Sequence, residues 1–337
     1  MTENRVLQPI PITGLTMGTT GIREELHFTG GVRARRAGEE WEFGPLLREG
    51  GIRAIGGISD QQLGDLGSVV GLTLFGADRI SGFDTPLPTR IWAPLLGPPH
   101  LMHAASDTWG MISSQARIAD DRDYGKLASN VAVSLRAAGL QLRNASDEYH
   151  KQLLAALTSG QGVNRRFQNI ATDDLHLAFH SVLTEMASAR DYLAQVAARR
   201  VRAPDKIDAL SRLKSWAEKP INVATQSDTL VARLLEVSDP KGPDPWLADI
   251  TEYQNLFLHR EHIGAMAKWL VIEERKSPIG PVHTIMMAIK AKPGTETICD
   301  ALVRFVDLYA RLCRLADLAA TLAPYAATPP AFVATSS

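Results

Sequence analysis

The sequence predicts a mainly α-helical fold, a helical bundle over residues 125–322 that carries a short β-hairpin. A glycine-rich, irregular or β-containing region over 1–110 precedes it, and a disordered tail over 324–337 follows. Three observations lead there. Residues 1–110 hold 18 of the 26 glycines and no lysine, a composition that penalises helix and favours tight turns between short apolar runs. The prolines Pro86, Pro88, Pro94, Pro98 and Pro99 close that region. From residue 124 onward, apolar residues recur at the spacing of one helix face over helix-length segments.

The elements follow in order. A helix is expected over 124–144 and a second over 146–158, with Ser146 as the cap between them and Ser159-Gly160 as the stop. The longest helix covers 172–200. Thr172 caps it, Asp173 and Asp174 complement its dipole, and Arg199-Arg200 suit its C-terminus. Shorter helices are expected over 205–218 and 222–237, before a proline-rich loop over 239–245 breaks the chain. A helix restarts over 246–262. Two strands, 268–274 and 282–290, flank the turn Ser277-Pro278-Ile279-Gly280-Pro281, and a last helix covers 297–322. Cys299 and Cys313 fall ~21 Å apart along that helix, too far to bridge.

Charge and cysteine content narrow the function classes. With 36 basic against 37 acidic side chains, the chain is not a globally basic nucleic-acid coat, although a local patch is compatible. Two cysteines make neither a disulfide scaffold nor a cysteine-rich zinc site. The first residues lack a basic start and apolar run, and no stretch reaches ~18 apolar residues, so a cytoplasmic protein without a membrane partner is expected.

Residues 246–262 carry the most information. On a helix, Trp246, Ile250, Tyr253 and Phe257 form one apolar stripe, and Asn255, His259 and His262 form a polar ridge on the other side. Such a ridge faces water, a partner or a substrate. Within it, Gln254-Asn255-Leu256-Phe257-Leu258-His259 resembles the Arg-Asn-x-x-x-His motif of the HEPN superfamily, with Gln254 in the place of arginine. The preceding Asp244-Pro245-Trp246-Leu247 and the segment Phe305-Val306-Asp307-Leu308-Tyr309 are similar to that superfamily as well.

The resemblance implies a HEPN-like helical bundle and metal-independent cleavage of RNA, in a toxin or phage-defence effector, with the motif helices of a homodimer meeting in one composite site. His259 would move the proton and Asn255 would orient it or touch phosphate, with Arg260 reaching across as the cation and Gln254 and His262 contacting RNA or a partner. No cofactor and no metal are implied. Because Gln254 supplies no charge, the alternative is a catalytically inactive protein- or nucleotide-binding or dimerisation module. A looser match, Arg143-Asn144 followed by His150, straddles the break expected at Ser146.

Other clusters read as ordinary surface. Asp173, His176 and His180 share a helix face with metal-like spacing, yet nothing specifies a further ligand. His100, His103 and Asp107 belong to a loop, and the glycine-rich stretch 14–21 lacks the Gly-Lys-Ser/Thr ending of a phosphate loop. Arg33, Arg35 and Arg36, Arg165-Arg166, and the trio Arg199, Arg200 and Arg202 are basic groups that could touch phosphate, with solvated surface as the default.

Overall fold

The computed structural model describes residues 9–11, 22–82, 89–95, 104–255, 266–290 and 298–329. It overturns the expected fold class: the architecture is α+β, with two antiparallel sheets, and not a mainly α HEPN-like bundle. The strands are β1 (Pro9–Pro11), β2 (Ile22–Phe28), β3 (Arg33–Ala37), β4 (Glu40–Arg48), β5 (Gly51–Ile58), β6 (Leu74–Ser81), β7 (Thr89–Pro94), β8 (Arg166–Phe167), β9 (Met266–Arg275), β10 (Val282–Lys290) and β11 (Ile298–Asp300). The helices are α1 (Asp60–Val70), α2 (Ala105–Ile118), α3 (Arg122–Thr158), α4 (Thr172–Arg200), α5 (Leu210–Ala217), α6 (Thr229–Ser238), α7 (Trp246–Asn255) and α8 (Ala301–Thr321).

The chain divides into two compact units. The first comprises Met1–Leu96, Leu142–Phe179 and Ile263–Val306, and the second Gly97–Gln141, His180–His262 and Asp307–Ser337. In the first unit a seven-stranded sheet runs in the order β1-β5-β4-β3-β2-β6-β7, and a four-stranded sheet in the order β11-β10-β9-β8. Several of the glycines that suggested irregular chain sit in turns of this sheet. Gly30 and Gly31, between β2 and β3, both have positive φ (75° and 81°). A side chain at Gly30 would meet Thr284 at 2.8 Å, and one at Gly31 the Tyr149 carbonyl oxygen at 2.9 Å. α1 carries a full capping box, Ser59 with Gln62, and ends on Gly71 in the left-handed region. The apolar centre includes Phe179 stacked on Phe305 at 4.7 Å, with Tyr149 edge-on to Phe179.

In the second unit the buried Trp109 donates its indole N–H to the Ala316 carbonyl at 3.0 Å, and the Tyr309 hydroxyl donates to the Leu135 carbonyl. Asp228 caps α6 through the Leu230 and Val231 amides, which splits the helix expected over 222–237 into a 3-10 segment, Pro220–Ser227, and α6. The tail expected to be disordered from residue 324 is packed at its start: Tyr325 lies 5.4 Å from the Tyr124 ring and donates to Asp121, and Gln115 donates to the Thr328 carbonyl.

Several local expectations match closely. α4 has the bounds read from its caps, and β9 and β10 form the expected hairpin. The break at Ser146 is absent, because α3 runs unbroken from Arg122 to Thr158 and the Ser146 hydroxyl bonds His27 instead of capping a helix. The last helix begins at Ala301, after Cys299 in β11, and both cysteines are free. No helix among the described residues is long and apolar enough to cross a membrane.

Candidate functional site

α7 presents the two sides that its periodicity requires. Trp246, Ile250 and Tyr253 are buried, while Gln254 is half-buried and Asn255 exposed at its C-terminal end. Gln254 and Asn255 line a cavity of about 540 Å³ with Arg190, Asp191, Thr251 and Glu252. His259, Arg260 and His262 lie outside the described residues, as do Phe257, His100, His103 and the stretch 14–21.

Arg190, which the residue pattern of the motif did not place at this site, is a cation beside the motif helix. It is buried, and each of its three nitrogens makes a bond: Nε and Nη2 donate to the two Asp191 oxygens at 3.0 and 3.1 Å, and Nη1 donates to Thr251 Oγ1 at 2.5 Å. Asp191 also accepts from the Leu210 amide and so caps α5, whose own N-cap, Ala209, has no side chain to do it. The ionic walls balance, Arg190 and Lys214 against Asp191 and Glu252. To these the amides of Gln254 and Asn255 each add a donor and acceptor pair.

A second constellation occupies the first unit. Antiparallel register sets Glu25 opposite Arg35 on β3 and Asp78 on β6, and His27 opposite Arg33, so one face of the sheet is charged. Ser146, Asp147 and His150, on one face of α3, bond to it. His27 contacts Ser146 Oγ through Nδ1 at 3.0 Å and Asp78 through Nε2 at 3.3 Å. Asp147 accepts from Arg33 and, at 2.8 Å, from Arg90, which also pairs with Asp78. Glu25 takes Arg23, Arg33 at 3.0 Å and Arg35 at 2.9 Å. Arg33 and Arg35 are thus not solvated surface, and Arg33 is buried. Arg166, in turn, lies over the Trp269 ring at 4.2 Å.

Electrostatics follow from burial and partners. Burial pushes the Glu25 carboxyl up, but Arg33, Arg35 and Arg23 outweigh it and hold the group at about 2. Burial likewise works against Asp147, and Arg90 and Arg33 bring it to about 2. His150, which donates its Nδ1–H to the Gly31 carbonyl at 2.9 Å, is pushed down to about 3 by burial and by repulsion from Arg33. His27 is also lowered by burial, against the pull of Asp78.

The arrangement excludes two chemistries on geometric grounds. Ser146, His27 and Asp78 have the residue types of a nucleophilic triad, but Ser146 is 1% exposed in the middle of a helix, out of reach of a substrate carbonyl. His27, Asp78 and Asp147 bring ligand atoms within 4.8 Å of one another, the one such group among the described residues, whereas Asp173, His176 and His180 do not form one. Its two carboxylates already hold Arg33 and Arg90, so a divalent cation would have to displace or repel guanidinium groups. The network is an internal ionic clamp between sheet and helix. Compared with family models, curated proteins and solved structures, the chain matches none.

The sequence contained a usable signal for the clamp. Arg23, Glu25 and His27, and then Arg33 and Arg35, alternate with a period of two, as a strand with one polar face does. Asp78, Arg90 and Asp147 carry no such local signature.

Proposed function

We propose that the chain is an RNA-directed binding module that seats an unpaired nucleotide at the C-terminal end of α7 and works in the cytoplasm as a homodimer through that helix. The observation that carries this reading is the state of Arg190: buried beside Gln254 and Asn255, it is neutralised by a two-bond pair with Asp191 and also holds Thr251, so its charge is already matched before a phosphorus-centred anion could meet it. Recognition then falls to the two amides. Asparagine and glutamine pair naturally with the donor and acceptor edge of a base, each good pair contributing about 1–3 kcal/mol. Balanced walls imply that affinity comes from base-edge contacts more than from backbone charge.

The test is fluorescence anisotropy with labelled single-stranded RNA in EDTA. Binding that Asn255→Ala weakens about tenfold is expected, with a shallow dependence on salt and intact RNA throughout. Unchanged affinity in Asn255→Ala sinks the reading. Cleavage is the second reading, favoured by the spacing of Asn255 and His259. RNA products with cyclic-phosphate ends that vanish in His259→Ala would establish it in place of the first.

A further inference from the structure

The C-terminal end of α4 forms the wall of a cleft of about 720 Å³, also lined by Asp121, Tyr124, Asp205, Leu322 and Pro324. Three arginines contribute to it, and they are not equivalent. Arg200 is structural: it pairs with Asp228 at 2.9 Å and donates to the Leu322 carbonyl. Arg199 and Arg202 line the same cleft, are exposed, and have no ion-pair partner among the described residues. Two unneutralised guanidiniums on one rim favour a group that accepts several N–H donors at once, of which phosphate is the best matched.

The backbone here is unusual in a way that the helix does not require. α4 ends in a Schellman-type turn, with the Ala203 amide bonded to the Ala198 carbonyl at 2.9 Å and Arg202 in the left-handed region at φ 54°. Glycine is the residue that this position prefers, and arginine is strained there. The strained residue is one of the two free cations.

The floor of the cleft supplies a second kind of recognition. Tyr124 is 4% exposed and its hydroxyl has no hydrogen-bond partner among the described residues. Burial, against the opposing charges of Arg200 and Arg199, pushes that phenol up to about 12, so it is a neutral donor at physiological pH. Asp121 is engaged by the Tyr325 hydroxyl at 2.9 Å and the Tyr124 amide at 3.0 Å, whereas Asp205 is exposed at the rim and can accept from hydroxyl or amino groups. The cleft therefore offers cations, a neutral donor and an acceptor, in a volume well beyond that of a bare phosphate ion.

We infer that this cleft binds a nucleoside monophosphate, its phosphate held between Arg199 and Arg202 and its hydroxyl or amino groups met by Tyr124 and Asp205. The inference does not rest on the role given to α7. Asn255 and Gln254 line another cavity, and their variants leave this site intact.

The experiment is isothermal titration and thermal melting of the full chain with AMP, adenosine, ribose 5-phosphate and inorganic phosphate, each against chloride at equal ionic strength. AMP is expected to bind and raise the melting temperature more than phosphate or adenosine alone. Arg202→Gly is the decisive variant: it should raise the melting temperature of the ligand-free protein by relieving the left-handed arginine, yet weaken AMP at least tenfold. Tyr124→Phe should leave the ligand-free melting temperature unchanged or higher and also lower affinity, because it removes a buried hydroxyl that has no partner without ligand. No AMP effect beyond that of chloride, or full affinity in Arg202→Gly, overturns the site. Equal effects of AMP and inorganic phosphate overturn the nucleoside part of it.

Discussion

Asp147 holds two guanidiniums, Arg33 and Arg90, and is itself only 18% exposed. Removing Asp147 leaves Arg33 to Glu25 and Arg90 to Asp78, each guanidinium short of one carboxylate in a largely buried cluster, which costs more than the pair contributes net. Asp147→Ala is therefore expected to lower the urea-unfolding free energy by about 3 kcal/mol. A loss under about 1 kcal/mol would mean that water reaches the clamp and screens it. Ser146 is a smaller case of the same kind. Its hydroxyl meets buried His27, so Ser146→Ala should cost about 1–2 kcal/mol without changing helix content by circular dichroism. Had Ser146 been a helix cap, the same substitution would shorten α3.

Elements show where short-range chemistry suffices. α4 is delimited by its own residues, an N-terminal Thr172 with two acids and a C-terminal pair of arginines, and its bounds were legible in the sequence. α1 is equally local. Ser59→Ala removes one half of a reciprocal capping box and should cost about 1 kcal/mol in chemical denaturation, with Ser59→Asp restoring most of it. α3 behaves differently. A serine followed by acids reads as a helix start, but the apolar positions Leu142, Ala145, Tyr149 and Leu153 continue on one side of that point and are fully buried. Tertiary burial of that stripe outweighs the local preference of a single cap residue.

At the scale of the whole molecule, the buried titratable groups couple folding to acid. His150 has its ordinary value of 6.5 when unfolded and about 3 when folded, so the unfolded chain takes up a proton first as pH falls below 6.5. Glu25 and Asp147, held at about 2 against ordinary values of 4.5 and 3.8, add two more such protons below about pH 4.5. Their stabilisation is complete above those ordinary values and is lost as pH falls towards 2. Each such proton contributes a slope of up to about 1.4 kcal/mol per pH unit. Asp300, raised by burial to about 7, is protonated first in the folded chain and offsets the His150 slope between about pH 6.5 and 3.8. The net fall in unfolding free energy is therefore expected mainly below about 4.5. His150→Gln should remove the His150 contribution, so that unfolding free energy rises relative to wild type as pH falls from 6.5 to about 4.5, and leave the steep part. Parallel wild-type and His150→Gln profiles between pH 7 and 5 would contradict the burial of His150.

The sequence by itself determined the bounds of α4, the hairpin of β9 and β10, and the buried positions Trp246, Ile250 and Tyr253 of α7, because each depends on residues within a few positions of one another. Only the tertiary structure decided that the glycine-rich half builds an antiparallel sheet with a charged face. It also decided that Arg190 is spent on Asp191 and Thr251, and that Asp78, Arg90 and Asp147 meet. Apart from the neighbours Arg190 and Asp191, those bonded pairs lie 12 to 61 residues apart. Their pairing depends on strand register and on which face of a helix is buried, and neither quantity is written in any short window of the chain.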